Sequence, residues 1–526
     1  MVSANVCGAY ITSGAFFLVF VAFNTAQALA TTLMETEVAN ASLAALYGFF
    51  TLLCIITPKL VQYIGPKWSM LVGAIPYCLL VFSYVIPLKG MARMPLSIPV
   101  FSLVGVSASM LWTGNGIYLG RASVREATST GEPIEAVTSR LNGVFWAVFQ
   151  FTGLTGLVAS SLVQLAAGKG NADAANQYLF IGLGVASLVG VCIFVFLPAQ
   201  PPMTAAERAK EETERERLAA GDDLTLGSSK HATGVTHRTG GKVVAGDDDS
   251  LAVSADSPAL NADGALAESM PDPADAPAAG GGATLMSTLN LLMTSRRMQL
   301  MLPIVIYNGM SLGWFFAQFP GFYAPHAGEG RQLLPTDMVG FVQGSFYLSN
   351  TLLSLVFGLL VARVGRKPVV IMAGIFAVLF LSTMLVLNGT DAVPACAKPD
   401  GEGCEPVSYV IVFALSIAFS VSDIVWESQV PAILQSSTFF EEESDRDAAQ
   451  GNLRMWQSFG FAVQLAMNIF VKEMAIQVGL LLAVIVVAVG CMLYMDATVQ
   501  RLDATRRLEA TSPGASKSEA SDHLLS

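Results

Sequence analysis

AGDDDSLAVSADSPALNADGALAESMPDPADAPAAGGG, residues 245–282, holds no apolar run that could bury itself. It belongs to a longer segment, Ala199 to Arg297, rich in Ala, Gly, Asp, Glu, Ser and Pro. A stretch of that composition buries too little surface to offset its chain entropy and reads as a disordered tether. On each side about 200 residues are dominated by apolar runs, six per side. The runs fall at about 8–30, 41–63, 68–88, 97–120, 141–166 and 176–198, then 298–323, 336–361, 368–388, 406–430, 449–471 and 475–495. Each is near the roughly 20 residues a helix needs to cross ~30 Å of hydrocarbon.

Composition agrees. The 526 residues are 53% hydrophobic and 13% charged, against about 25% charged in a soluble domain. The runs are continuous, without the polar alternation of a membrane barrel. The first has no basic start and no small-residue cleavage site, so it reads as an uncleaved span. The expectation is an all-α membrane protein of twelve transmembrane helices. Residues 1–198 form one six-helix bundle, 199–297 a disordered cytoplasmic linker, 298–496 a second six-helix bundle and 497–526 a cytoplasmic tail. Two six-helix halves joined by a tether are the plan of the major facilitator superfamily.

Orientation follows from the basic residues. With both termini inside, six of the 29 Lys and Arg fall outside: Lys89, Arg93, Lys169, Arg331, Lys398 and Lys472. The short inside loops alone hold more, namely Lys59, Lys67, Arg121, Arg125, Arg140, Arg363, Arg366, Lys367, Arg446 and Arg454. Cys396 and Cys404 share one loop on the outer, oxidising side and are a candidate disulfide. Two sequons, at Asn40 and Asn388, face the same side and are candidate glycosylation sites. The net charge of −11 owes much to Asp247, Asp248 and Asp249 and to Glu441, Glu442 and Glu443. Such an acidic tether argues against a nucleic-acid partner.

The halves repeat. At an offset of 300, Tyr47 meets Tyr347, Thr51 meets Thr351, Gly65 meets Gly365 and Lys67 meets Lys367. At an offset of 314, Arg140, Phe145 and Gln150 meet Arg454, Phe459 and Gln464. The loop from Gly358 through Arg363 to Gly365, Arg366 and Lys367 resembles the superfamily's signature loop, a glycine turn with cations at a helix end. The signature acid is missing: Ala362 holds its place, and Gln62 the matching place in the first half. In the superfamily that acid joins the charge contacts latching the inward-closed state.

Several stretches in order resemble the UNC-ninety-three-like family, a divergent branch that includes ion-channel regulatory and receptor-trafficking proteins. They are Phe20 to Gln27, Leu46 to Phe50, Gly65 to Trp68, Leu111 to Leu119, Asn142 to Ala147 and Asp423 to Gln429. The chain departs from the family at Asn115, usually Gln, and at Glu427, usually Asn. The resemblance implies a membrane protein in the plasma membrane or an endosomal or lysosomal membrane that regulates or escorts an ion channel or receptor. The rival expectation is a secondary transporter of a cation or small solute.

Asp423 and Glu427, four residues apart, share one face of span 10. Intramembrane acids are costly and point at a cavity or a partner, so this pair is the first candidate for an ion or proton site. No Lys or Arg stands mid-span as a counter-ion on this reading. Asn24, Gln27, Trp112, Asn115, Asn308, Gln318 and Gln429 complete the candidate cavity lining. The four His residues lie outside the spans, and no metal-ligand spacing, phosphate-binding glycine loop or nucleophilic triad is present. Neither a cofactor nor an enzymatic activity is expected.

The orientation predicts that an epitope inserted after Ser257 is reached by antibody only in permeabilised cells. Staining of intact cells would place the tether outside.

Overall fold

Proline and glycine positions set where the rods begin, bend and stop. The computed structural model describes residues 3–28, 30, 34, 36–88, 90–167, 172–204, 207–209, 286–319, 338–389, 409–436, 439–471 and 473–511. The first half comprises α1 (Ala4–Ala28), α2 (Thr36–Leu53), α3 (Thr57–Ile64), α4 (Pro66–Ser83), α5 (Met94–Thr130), α6 (Ile134–Ala167) and α7 (Ala172–Ile193). The second comprises a short α8 (Ser287–Thr294), then α9 (Arg296–Ala317), α10 (Met338–Val364), α11 (Arg366–Gly389), α12 (Tyr409–Gln435), α13 (Glu443–Phe470) and α14 (Met474–Thr511). Among the described residues nine helices are long and apolar enough to cross a membrane, ten with the bent pair α2 and α3. With α10 and the more polar α13, the arrangement fits twelve spans.

The expected second span is broken. Helix α2 ends at Leu53 and α3 departs at 70°. Pro58 lies in the first turn of α3. Its ring would collide with the carbonyl four residues back, so a straight helix cannot pass through it. The bend pushes Pro58 against α13, where a Cβ on Gly451 would sit 2.5 Å from the Pro58 ring. Only a residue without a side chain fits there.

The fourth span overshoots. Helix α5 has 37 residues, about 55 Å at 1.5 Å per residue. Beyond residue 120, the expected end of the span, no Pro or Gly appears before Gly131, which ends the helix at φ +70°. The protruding turns carry Arg121 and Arg125. Residues 199–204 and 286–297, assigned to the linker by composition, include ordered parts that pack on the helices. Met203 and Thr288 are buried, and Asn452 on α13 donates to the Thr288 carbonyl at 2.7 Å. Ser295 caps α9 by accepting from the Met298 amide.

The repeat is visible in backbone detail. Gly65 and Gly365 both turn at positive φ, +82° and +81°. Their amides close onto Val61 O at 2.8 Å and Val361 O at 3.0 Å. Thr51 and Thr351 each donate to the carbonyl of the tyrosine one turn back at 2.8 Å. The offset of 314 is weaker, since Phe145 is buried and Phe459 exposed. Each half has its own aromatic core, centred on Phe20, ringed by Phe23, Tyr77, Trp112 and Phe149, and on Phe315, stacked on Phe419 at 4.4 Å. In a bilayer such packing stands in for hydrophobic driving force.

A side chain at Gly65 would meet nothing within 4 Å, so its cost is purely conformational. With ψ at 151°, the backbone lies in a region kept almost wholly to glycine. Gly65→Ala is expected to destabilise the purified protein by about 1–3 kcal/mol. Gly48→Ala, equally open but inside α2, is expected to be neutral or stabilising in the same thermal unfolding measurement.

Candidate functional site

The two halves line a cavity of about 170 Å³. The first half contributes rings and amides: Phe20, Asn24 and Gln27 from α1, Tyr47 from α2, Trp112 from α5, and Trp146 from α6. The second contributes the charges, Glu427 from α12 and Arg454 from α13, with Gln457 one turn beyond.

Those charges belong to a network drawn from four helices. Asp423 is fully buried and accepts from Asn350 Nδ2 at 2.9 Å and Asn308 Nδ2 at 3.4 Å. Gln457 Nε2 donates to Glu427 Oε1 at 2.7 Å and to Asn308 Oδ1 at 2.5 Å. Arg454 Nη1 donates to Gln457 Oε1 at 2.8 Å. The Arg454 guanidinium lies 4.6 Å from the Trp112 ring centroid and 5.8 Å from that of Trp146. A cation from one half thus rests on aromatic faces of the other, an attraction that strengthens away from water.

Arg454 corrects the expectation that no mid-span cation exists. The run from Glu441 to Asp447 reads as loop, which leaves Arg454 near the membrane edge. In the structure α13 already begins at Glu443, so Arg454 lies three turns in and is 5% exposed. Arg121 is displaced in the same way, from a loop to a buried position in α5.

Of the residues expected at the cavity, Asn24, Gln27, Trp112 and Glu427 line it. Asn24 donates to Thr152 Oγ1 at 2.8 Å and Gln27 to the Tyr47 hydroxyl at 3.2 Å. Asp423 and Asn308 sit behind the wall, joined to it through Gln457. Three others are not brought together with them. Asn115 is buried elsewhere in α5, and Gln429 bonds to Ser428 at 3.3 Å. Gln318 ends α9, its amide on the Trp314 carbonyl. In the signature loops Gly358 lies within α10, Lys67 covers the Trp68 ring at 5.1 Å, and Arg363 and Lys367 are exposed. Cys396 and Cys404 lie outside the described residues, as do the side chains of Asn40 and Asn388. Sequence reasoning missed Arg454, Gln457, Gln343 and the tyrosine pair Tyr47 and Tyr347; the tyrosines were signalled by the repeat.

A second polar cluster fastens the halves at the signature-loop end. Arg121 pairs with Glu443 at 2.9 Å and Asp447 at 3.2 Å. Gln62, in the place of the missing acid, donates to Asp447 at 3.3 Å. Asn142 on α6 donates to Gln435 on α12 at 2.7 Å. The start of the tether joins in: Arg121 Nη1 reaches the Gln200 carbonyl at 3.0 Å, and the Met203 amide donates to Glu443 at 3.3 Å. Nearby Arg125 pairs with Glu207 at 2.9 Å. The hydrogen bond from Arg125 holds the Glu207 carboxyl down at about 2.

Residues 34–495 match the family model described as ion channel regulatory protein UNC-93. Protein unc-93 homolog A of Bos taurus is 24% identical over 472 residues, covering 89% of this chain and 88% of that protein. Its Xenopus laevis counterpart is 23% identical over 523 residues, covering 98% and 97%. Among solved structures, the major facilitator proton:xylose symporter XylE superposes with a TM-score of 0.56 at 12% identity, over 93% of this chain and 95% of that one. That likeness shows the fold.

Gln457→Leu removes the donor to buried Glu427 and is expected to destabilise the protein by about 3 kcal/mol. Adding Glu427→Gln should return part of that loss, because the unpartnered charge is gone. A double-mutant cycle by thermal unfolding reads the coupling directly.

Proposed function

This chain belongs to the UNC-93 family of ion channel regulatory proteins, and from that premise we propose that it regulates or escorts a channel or receptor in the same membrane. It is an integral multi-pass membrane protein of the major facilitator fold. The observation that carries the regulatory reading is the family match over residues 34–495. Two features support it. Both signature acids are absent, and the halves are bound instead by Arg121, Glu443 and Asp447. The tether's first residues are sewn into the same cluster, so a partner pulling on the tether would act directly on the contact between the halves. In this reading the tether and both termini face the cytoplasm, in the plasma membrane or an endosomal or lysosomal membrane.

One observation favours transport of a cation or small solute as a second reading. Glu427 lines the cavity and is coupled through Gln457 and Asn308 to Asp423.

Two measurements separate them. Expressed in cells, the protein is expected to change a native cation current in whole-cell recordings, and Glu427→Gln should retain that effect. Purified and reconstituted in liposomes, it is expected to give no proton- or potassium-linked flux above empty vesicles. Flux abolished by Glu427→Gln would replace the regulatory reading with transport.

A further inference from the structure

Two opposite charges share the central cavity and are kept apart. Arg454 and Glu427 are each 5% exposed, and both line the same space. Among the described residues no ion pair joins them. Gln457 stands between, accepting from Arg454 Nη1 at 2.8 Å and donating to Glu427 Oε1 at 2.7 Å. Buried charges are costly unless paired, and a shared amide neutralises neither. Arg454 Nε, though buried, has no hydrogen-bond partner at all. Trp112 and Trp146 hold the guanidinium in place. Asp423 makes a contrast, since two side-chain amides already serve its carboxylate.

We propose that the cavity binds a small zwitterion, a molecule with an ammonium and a carboxylate on the same or neighbouring carbons and a body of about one ring. The carboxylate pairs with Arg454, the ammonium with Glu427, and the body lies among the rings of Phe20, Trp146, Phe149, Phe316 and Phe461. Spacing, charge and volume agree on this class. The oxygen and nitrogen of one amide are ~2.3 Å apart, so Arg454 Nη1 and Glu427 Oε1 are separated by no more than about 8 Å. An amino-acid head group with a charge-assisted hydrogen bond of ~2.8 Å at each end covers that distance. The wall charges cancel, so a ligand with a single charge leaves the opposite wall charge unpaired. A cavity of about 170 Å³ is close to the ~150 Å³ that accommodates benzene in an engineered protein core. That space suits a body of about one ring.

The inference goes beyond the regulatory reading, because binding is measured with no channel and no flux. Full-length protein in nanodiscs is titrated calorimetrically with L-phenylalanine, 3-phenylpropanoate and phenethylamine. The amino acid is expected to bind, and each single-charge analogue to bind on the order of 10-fold more weakly. Arg454→Gln should erase the preference over phenethylamine, and Glu427→Gln the preference over 3-phenylpropanoate. The analogue series uses the unaltered chain, so a variant that fails to fold leaves the test intact. Equal or tighter binding of either analogue overturns the proposal in favour of an anion or a cation site. Absence of binding by L-phenylalanine overturns it outright.

Discussion

A guanidinium inside a bilayer must be answered by something, and the answers to Arg454 organise the second half. Hydrocarbon provides no water to solvate it, so every donor left open raises the energy of the fold. The reply is distributed. Trp112 and Trp146 meet its face, Gln457 takes one edge, and Gln457 passes the contact to Glu427 and Asn308. Each partner lies on a different helix, so the network fixes how α9, α12 and α13 are rotated about their axes. Apolar packing alone constrains rotation weakly, because leucine on one face of a buried rod resembles leucine on another.

The halves share turn chemistry and differ in electrostatics. Gly65 and Gly365 make the same turn, and Tyr47 and Tyr347 hold matching places on α2 and α10, both at the cavity. Yet the charged groups lining the cavity come from α12 and α13, while the first half offers rings and neutral amides. Tyr47 stacks on Phe461 at 4.5 Å, and Thr51 meets Ser458 at 3.0 Å. At the cavity the contact between halves is therefore built from ring faces and hydroxyls, while the hydrogen bonds of Glu427 and Arg454 stay within the second half. The ion pairs that cross between the halves lie at the signature-loop end.

What the sequence disclosed follows from the bilayer's demands. Runs of about 20 apolar residues have few alternatives to spanning helices, so the architecture could be read directly. Asp423 and Glu427 stood out because acids are rare in such runs. Arg454 did not, because the acidic stretch before it resembles a loop and hides five or six residues of helix. Gln318, Asn115 and Gln429 show a different limit. From Ser422 to Gln435 every residue of α12 is buried, so polarity there says that a partner exists without saying which face looks into the cavity. Hydrophobic periodicity locates a face only when one side of a helix meets lipid or water.

The missing signature acids illustrate how a contact can survive a change of residues. The superfamily's loop places an acid between spans 2 and 3, and here that place holds Gln62. Gln62 still reaches across to the other half, but as a donor, and its acceptor is Asp447. The negative charge has moved to the start of α13, where Glu443 and Asp447 face Arg121. Acids at a helix N-terminus are favoured by its dipole, so the relocation places the charge where the backbone already welcomes it. The exchange also brings the cluster within reach of the tether, through the Gln200 carbonyl and the Met203 amide. A latch confined to a loop would report only on the position of the halves, whereas this one is also connected to the segment that joins them.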